Sequence, residues 1–306
     1  MSAPPVLFFV FNRLDTTARV FERIAAARPA TLLVVADGPR ADKPDDAARC
    51  EAVRELVSHP TWNCDLRLDF APSNLGFNRR ISSGLAWAFS QFEEVIILED
   101  DCLPDPTFFP FCAELLERYR FDERIMMITG CNFQFGRTRG DASYYFSHGV
   151  GTWGWASWRR AFRHFDPVMS LWPGERDGKL LHSIWPTASI VDYWRARFDE
   201  AFRRDVDAWD YQWAFAMWRQ RGLQAASNVN LIQYIGCLPD TAHTTDPHAP
   251  FCNVPISPMT FPLRHPANVE RDLTADLFEF YRVFLNQQDS EADARAKASN
   301  HADSTG

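Results

Sequence analysis

A chain of 306 residues that is 46% hydrophobic and 14% aromatic carries enough apolar surface for a substantial core, which excludes an intrinsically disordered protein. A formal net charge of −8 argues against broad electrostatic capture of nucleic acid or of an anionic membrane. Seven cysteines, odd in number and without C-x-x-C pairs, fit a reducing compartment and buried small hydrophobes better than a disulfide framework or a zinc site.

In chain order, "MSAPPVLFFVFNR" lacks a basic leader, and its apolar run at 6–11 is too short for a signal segment or a membrane span. The expectation is a cytoplasmic protein with no integral membrane segment. "VLFFVF" reads as the first strand and "LDTTARVFERIAAARP" as the helix after it, stopped by Pro29. A strand "TLLVVA", a turn-rich "DGPRADKPDD", a helix over 47–58, a strand "DLRLDF" and a helix over 78–92 follow. Next come "EEVIIL", a helix within "DPTFFPFCAELLERYR", and "RIMMIT", with which the sheet is expected to continue. Such alternation of short apolar runs with helical periodicity predicts βα units and a mostly parallel sheet. The second half is dense in tryptophan, its strands are hard to place, and helices are expected over 152–164, 190–204 and 210–221. From 286 to 306 the chain is polar without apolar periodicity and is expected to be disordered.

The strand "EEVIIL" runs straight into Glu99, Asp100 and Asp101. Three adjacent carboxylates repel one another and lose charge unless solvated or given a cation. In open α/β sheets ligands sit beyond the carboxyl ends of strands, where these acids fall. Oxygen ligands of this kind suit Mn²⁺ or Mg²⁺, which bring nucleotide phosphates with them. No Walker A segment is present, so phosphates would be held by metal rather than by a P-loop's glycine cradle. A solvated strand end with a capping aspartate explains the bare triplet equally well.

The ordered set "FVFNR", "ADGPR", "NLGFNRRISSGLAWAF", "ILEDDCLPDPTFF", "GTWGWASWRR", "AWDYQWAFAMW" and "TAHT" resembles the metal-dependent GT-A glycosyltransferases. Among them it resembles N-acetylglucosaminyltransferase I and, more nearly, bacterial family 2 glycosyltransferases, the nucleotide-diphospho-sugar transferases. The resemblance implies a GT-A, Rossmann-like α/β fold over residues 1–285, with a nucleotide-binding half at 1–135 and an acceptor half at 136–285. It implies an inverting, metal-dependent transfer from a nucleotide sugar, a UDP-sugar, to a glycan or lipid-linked acceptor hydroxyl. Asp101 would ligate Mn²⁺ or Mg²⁺, with Glu99 and Asp100 reaching the ribose or the ion's waters. Arg13 would stand beside the nucleotide, Asp37 at the base, and Arg79 or Arg80 at a phosphate. As the first residue of an Asp-Gly-Pro turn, Asp37 also has a purely structural explanation.

On the acceptor side the resemblance makes Asp210 the general base, with Asp207 as the fallback; a helix N-cap is the rival role for Asp210, and a plain surface charge that for Asp207. His243 in "DTAHT" would be a late metal ligand favouring Mn²⁺. Trp153, Gly154 and Trp155 would line the donor or acceptor pocket, although core packing is the ordinary fate of tryptophan. Two other functions share the same carboxylates. A sugar nucleotidyltransferase or pyrophosphohydrolase would attack phosphorus instead, but the glycine-rich basic loop expected of the former is missing. A nucleotide-sugar-binding protein without turnover is the other.

Overall fold

The computed structural model describes residues 4–237, 250–252 and 254–285. Its first half alternates strand and helix: β1 (Val6–Val10), α1 (Leu14–Ala27), β2 (Thr31–Ala36), α2 (Asp46–Ser58), β3 (Asp65–Phe70), α3 (Phe77–Gln91) and β4 (Glu94–Glu99). Then come β5 (Cys102–Pro104), α4 (Phe108–Arg118), β6 (Ile125–Thr129), β7 (Tyr144–Ser147) and β8 (Trp155–Trp158). Short helices α5 (Arg159–Phe162), α6 (Trp172–Glu175) and α7 (Leu180–Ile184) lead to α8 (Ala188–Arg203) and α9 (Asp210–Arg219). The described elements end with β9 (Leu223–Ser227), β10 (Ile232–Tyr234) and α10 (Leu273–Glu279), which continues as a π-helical turn over Phe280–Phe284.

The protein is a mixed α/β structure with a large, mainly parallel central sheet flanked by helices. Its strand order is β3-β2-β1-β4-β8-β6-β9-β7, with β5 and β10 forming a separate antiparallel pair. The strands β3, β2, β1 and β4 are mutually parallel, β8 is antiparallel to both its neighbours, and β7 is antiparallel to β9. Side chains of β1 alternate between two cores: Val6, Phe8 and Val10 join the one holding α1, α2 and α4, while Leu7 and Phe9 join the one holding α3, α8 and α9. Burial on both faces is the physical reason these strands read as unbroken apolar runs.

Two expectations are corrected. The segment 152–164 is not a helix: "WASW" is the buried strand β8, and only one helical turn follows. "RIMMIT" does continue the sheet, with β8 returning between it and "EEVIIL" and pairing with both. Tertiary pairing there overrides the helical spacing of the tryptophans. The cysteines are not all unpaired: Cys237 and Cys252 form a disulfide, while Cys50, Cys102, Cys112 and Cys131 are buried free thiols. The expected disordered tail at 286–306 lies outside the described residues.

Candidate active site

Parallel pairing of β1 with β4 sets Phe9 against Glu99, so the carboxyl ends of both strands open at one edge of the sheet. There the guanidinium of Arg13, just past β1, donates to the carboxylate of Asp100 and lies 2.9 Å from that of Asp101. The backbone N–H of Phe11 donates to the other oxygen of Asp100 at 3.3 Å. Asp100 and Asp101 are buried, and Glu99 is half-buried. Burial, reinforced by Asp101, pushes the carboxyl of Asp100 up to about 6 against the pull of Arg13. Burial together with Asp101 and Asp100 pushes Glu99 well above the carboxylate range. Arg13 loses by burial and gains more from the two aspartates, so it is held above its ordinary value. The fold's own compensation for the acidic triplet is therefore an arginine.

The back wall of this cluster comes from the β5–β10 pair. Ile235 donates its N–H to the backbone carbonyl of Asp101 at 2.8 Å, and Gly236 packs so closely that a Cβ there would overlap Asp101 Oδ2 and crowd the Tyr234 hydroxyl. Trp153 stacks on Tyr234 at 4.4 Å between ring centroids, with Phe251 against the same indole. Gly154 has φ +69° and presses on Ile232, where a side chain would be both strained and obstructed. Trp155, expected to line a pocket, is instead wholly buried between β4 and β6, packed on Trp209 and Trp213. It supports the site from behind.

Asp37 is buried and clamps two loops together. One of its oxygens accepts from Gly38 N at 2.8 Å and Leu75 N at 2.9 Å, and the other from the Asn74 side chain at 3.0 Å. Burial raises its pKa against these donors. Arg80 is also buried, with its guanidinium on the Ala36 carbonyl at 3.2 Å and the Asp69 carboxylate at 3.0 Å, so it ties α3 to the ends of β2 and β3. Arg79 is exposed.

Asp207 is more than a bare surface charge. Its carboxylate accepts from Phe77 N and Asn78 N, both at 2.8 Å, and so caps the first turn of α3 from a loop 130 residues away in sequence. Free N–H groups at a helix start and the positive end of its dipole both favour an acid there. Three residues on, Asp210 opens α9 half-buried, close enough to Glu99 to help raise its pKa. Asp210 also lines a cavity of about 60 Å³ between α9 and α10, together with Trp218 and Glu279. His243 lies outside the described residues.

Among the described residues no three His, Cys, Asp or Glu side chains converge as a metal cage. Asp101 offers Oδ1, whose neighbour is the Cys102 thiol at 3.5 Å, and Glu99 faces the same edge. That donor set fits a hard ion which takes most of its ligands from water and phosphate oxygens, the usual habit of Mg²⁺ and of Mn²⁺ in oxygen sites. Sequence reasoning missed Tyr234, Gly236, Glu279 and the capping role of Asp207. Each depends on a tertiary approach that no local pattern encodes.

No protein-family model matches the chain, and no curated protein matches it significantly. Some solved structures align with part of it at low similarity. A mannosyltransferase from Pyrobaculum calidifontis, in complex with GDP-mannose and Mn²⁺, matches at 16% identity and TM-score 0.38 over 53% of this chain and 46% of that one. A cytidylyltransferase from Leptospira borgpetersenii matches at 16% identity and TM-score 0.36, over 65% and 74%. The glycosyltransferase GlyE of Streptococcus pneumoniae matches at 10% identity and TM-score 0.31, over 74% and 45%. These neighbours are glycosyltransferases and nucleotidyltransferases at low identity, a likeness too distant to carry an argument about activity.

Proposed function

We propose that the protein is a glycosyltransferase that moves a sugar from a nucleotide sugar, a UDP-sugar, to an acceptor hydroxyl with inversion at the anomeric carbon. The observation that supports this reading is the meeting of Arg13, Glu99, Asp100 and Asp101 at the carboxyl ends of β1 and β4, with Asp210 within electrostatic reach of Glu99. A nucleoside diphosphate would lie across that edge, the place where open α/β sheets hold ligands. Asp101, with Glu99 beside it, would hold a divalent ion that neutralises the leaving diphosphate when bound. Asp100, saturated by Arg13 and Phe11, positions the guanidinium rather than meeting the ligand. Asp210 takes the proton of the acceptor hydroxyl as its oxygen bonds to the anomeric carbon and the bond from that carbon to the diphosphate breaks.

Calorimetry of UDP with Mn²⁺ tests the ion-binding part: Asp101→Asn is expected to abolish the ion-dependent share of UDP affinity. Equal affinity with and without Mn²⁺ in the unaltered chain would refute it. Product stereochemistry tests the base, because retention of the donor's anomeric configuration leaves Asp210 without a single-displacement role. Nucleotidyl transfer uses the same acids on phosphorus, so pyrophosphate release from UTP and a sugar 1-phosphate is measured alongside; turnover there, without transfer from a UDP-sugar, would replace this reading.

A further inference from the structure

The cavity beside Asp210 has walls unlike those of the acid cluster. Trp185, Trp194, Trp218 and Phe284 supply its aromatic surface, and Asp210 and Glu279 its carboxyl groups. The indole N–H groups of Trp185 and Trp194 are buried and have no acceptor in the protein, although both residues line the cavity. A buried donor without an acceptor is costly, so a polar guest or water belongs nearby. A third acid of the cavity, Asp276, accepts from His148 N at 3.1 Å and from Arg271 at 2.5 Å. Arg271 in turn covers the Trp185 ring at 5.3 Å, which takes the position an external cation would use.

Resting on the glycosyl-transfer reading, we propose that this cavity is the acceptor subsite and that it takes a neutral sugar edge-on, by one exocyclic arm, with Glu279 as a specificity-determining residue. Size and chemistry both point this way. Against the roughly 150 Å³ of an apolar cavity that binds benzene, the 60 Å³ cavity takes only a few heavy atoms, which is one arm of a hexose and not its ring. Aromatic faces suit the C–H surface of a sugar, and two carboxyl groups suit its hydroxyl or amide donors. Burial, reinforced by Asp276, pushes the Glu279 carboxyl up to about 8 against Gln134 and Arg139, so near neutrality it can donate as well as accept. An uncharged carboxyl favours a polyol over a cation. Because Asp210 lines the cavity and stands within electrostatic reach of Glu99, an arm seated here holds a ring hydroxyl next to the proposed base.

Saturation-transfer NMR on the full chain with UDP and Mn²⁺ present, using methyl hexosides and methyl N-acetylhexosaminides as probes, tests the subsite. At least one glycoside is expected to receive saturation at an exocyclic arm. Its affinity should fall about ten-fold in Glu279→Ala and several-fold in Phe284→Ala, whose parent ring is already 40% exposed. UDP affinity should not change in either variant. No saturation of any probe, or saturation untouched by both substitutions, overturns the inference. Bound UDP with silent glycosides sinks the subsite alone; glycoside binding that needs Glu279 in a chain that binds no nucleotide sinks the transferase reading and leaves the cavity's sugar preference standing.

Discussion

Replacing Asp207 by alanine separates its role from that of Asp210. The substitution removes two hydrogen bonds of 2.8 Å, to Phe77 N and Asn78 N, from the start of a fifteen-residue helix whose N-cap residue, Gly76, offers no side chain. Loss of an aspartate cap costs about 0.5–2 kcal/mol, and two donors lost together at an exposed site place this case at about 1–2 kcal/mol. For a chain of this size that lowers the thermal midpoint by roughly 1.5–3 °C. Asp207→Asn keeps one acceptor oxygen and should lose about half as much. Asn78 also donates from its side chain to the Ala208 carbonyl, so the loop entering α9 keeps a second anchor. Turnover in Asp207→Ala is therefore expected to drop less than about ten-fold, against the factor of about 10²–10⁴ expected for removing a general base with Asp210→Asn. Urea unfolding with initial rates on the same preparations reads both quantities. Should Asp207→Asn abolish turnover with its unfolding midpoint unmoved, Asp207 is the base and the cap is incidental.

Glu279 carries a pH signature whose sign is fixed by burial. Its folded pKa, about 8, lies above the ordinary 4.5, so between those values the folded chain holds more protons than the unfolded one. Its contribution is complete below the ordinary value and is lost as pH rises through about 8, by roughly 2–5 kcal/mol. The stability difference between wild type and Glu279→Gln, followed by urea midpoints from pH 5 to 9, should move steadily toward the variant; a flat difference would contradict it. Gly236→Ala must displace the Asp101 carboxylate or the Tyr234 ring, and should weaken UDP binding more than ten-fold by calorimetry while the described fold persists by circular dichroism. Arg13→Gln leaves Asp100 and Asp101 without their cation and should tighten Mn²⁺ binding in the absence of nucleotide, as read by titration calorimetry; unchanged affinity would mean that the ion does not use those acids.

The first half of the fold was legible because its physics is local. "TLLVVA" and "DLRLDF" match β2 and β3 end to end, and the expected helices over 47–58 and 78–92 each begin one residue after α2 and α3 do. Beyond β4 the sheet depends on strands that reverse direction, and no apolar periodicity distinguishes the buried "WASW" from a helix turn. The candidate site divides in the same way. Adjacent acids at a strand end announce themselves, as does Arg13 at the end of its parallel neighbour. The clamp by Asp37, the commitment of Arg80 to Asp69, the remote cap by Asp207 and the Cys237–Cys252 bond join residues that only folding brings near.

The charge around the acid cluster bears on whether an ion is needed. Arg13 spends its single positive charge on two aspartates, and Asp210 adds a further carboxylate within reach of Glu99. Even with Glu99 protonated, as burial and its neighbours favour, one guanidinium faces three acids and the edge stays net negative. A diphosphate approaching that edge is repelled unless it arrives with a cation, because in a partly buried cleft like charges interact more strongly than in bulk water. An arginine that was free to bind phosphate would remove the need; one already paired cannot serve both partners without releasing an aspartate into a buried, uncompensated state. The geometry therefore argues for ion-dependent nucleotide binding even though the acids form no closed cage, and UDP affinity undiminished by a chelator would mean that Arg13 turns from its aspartates to the phosphates.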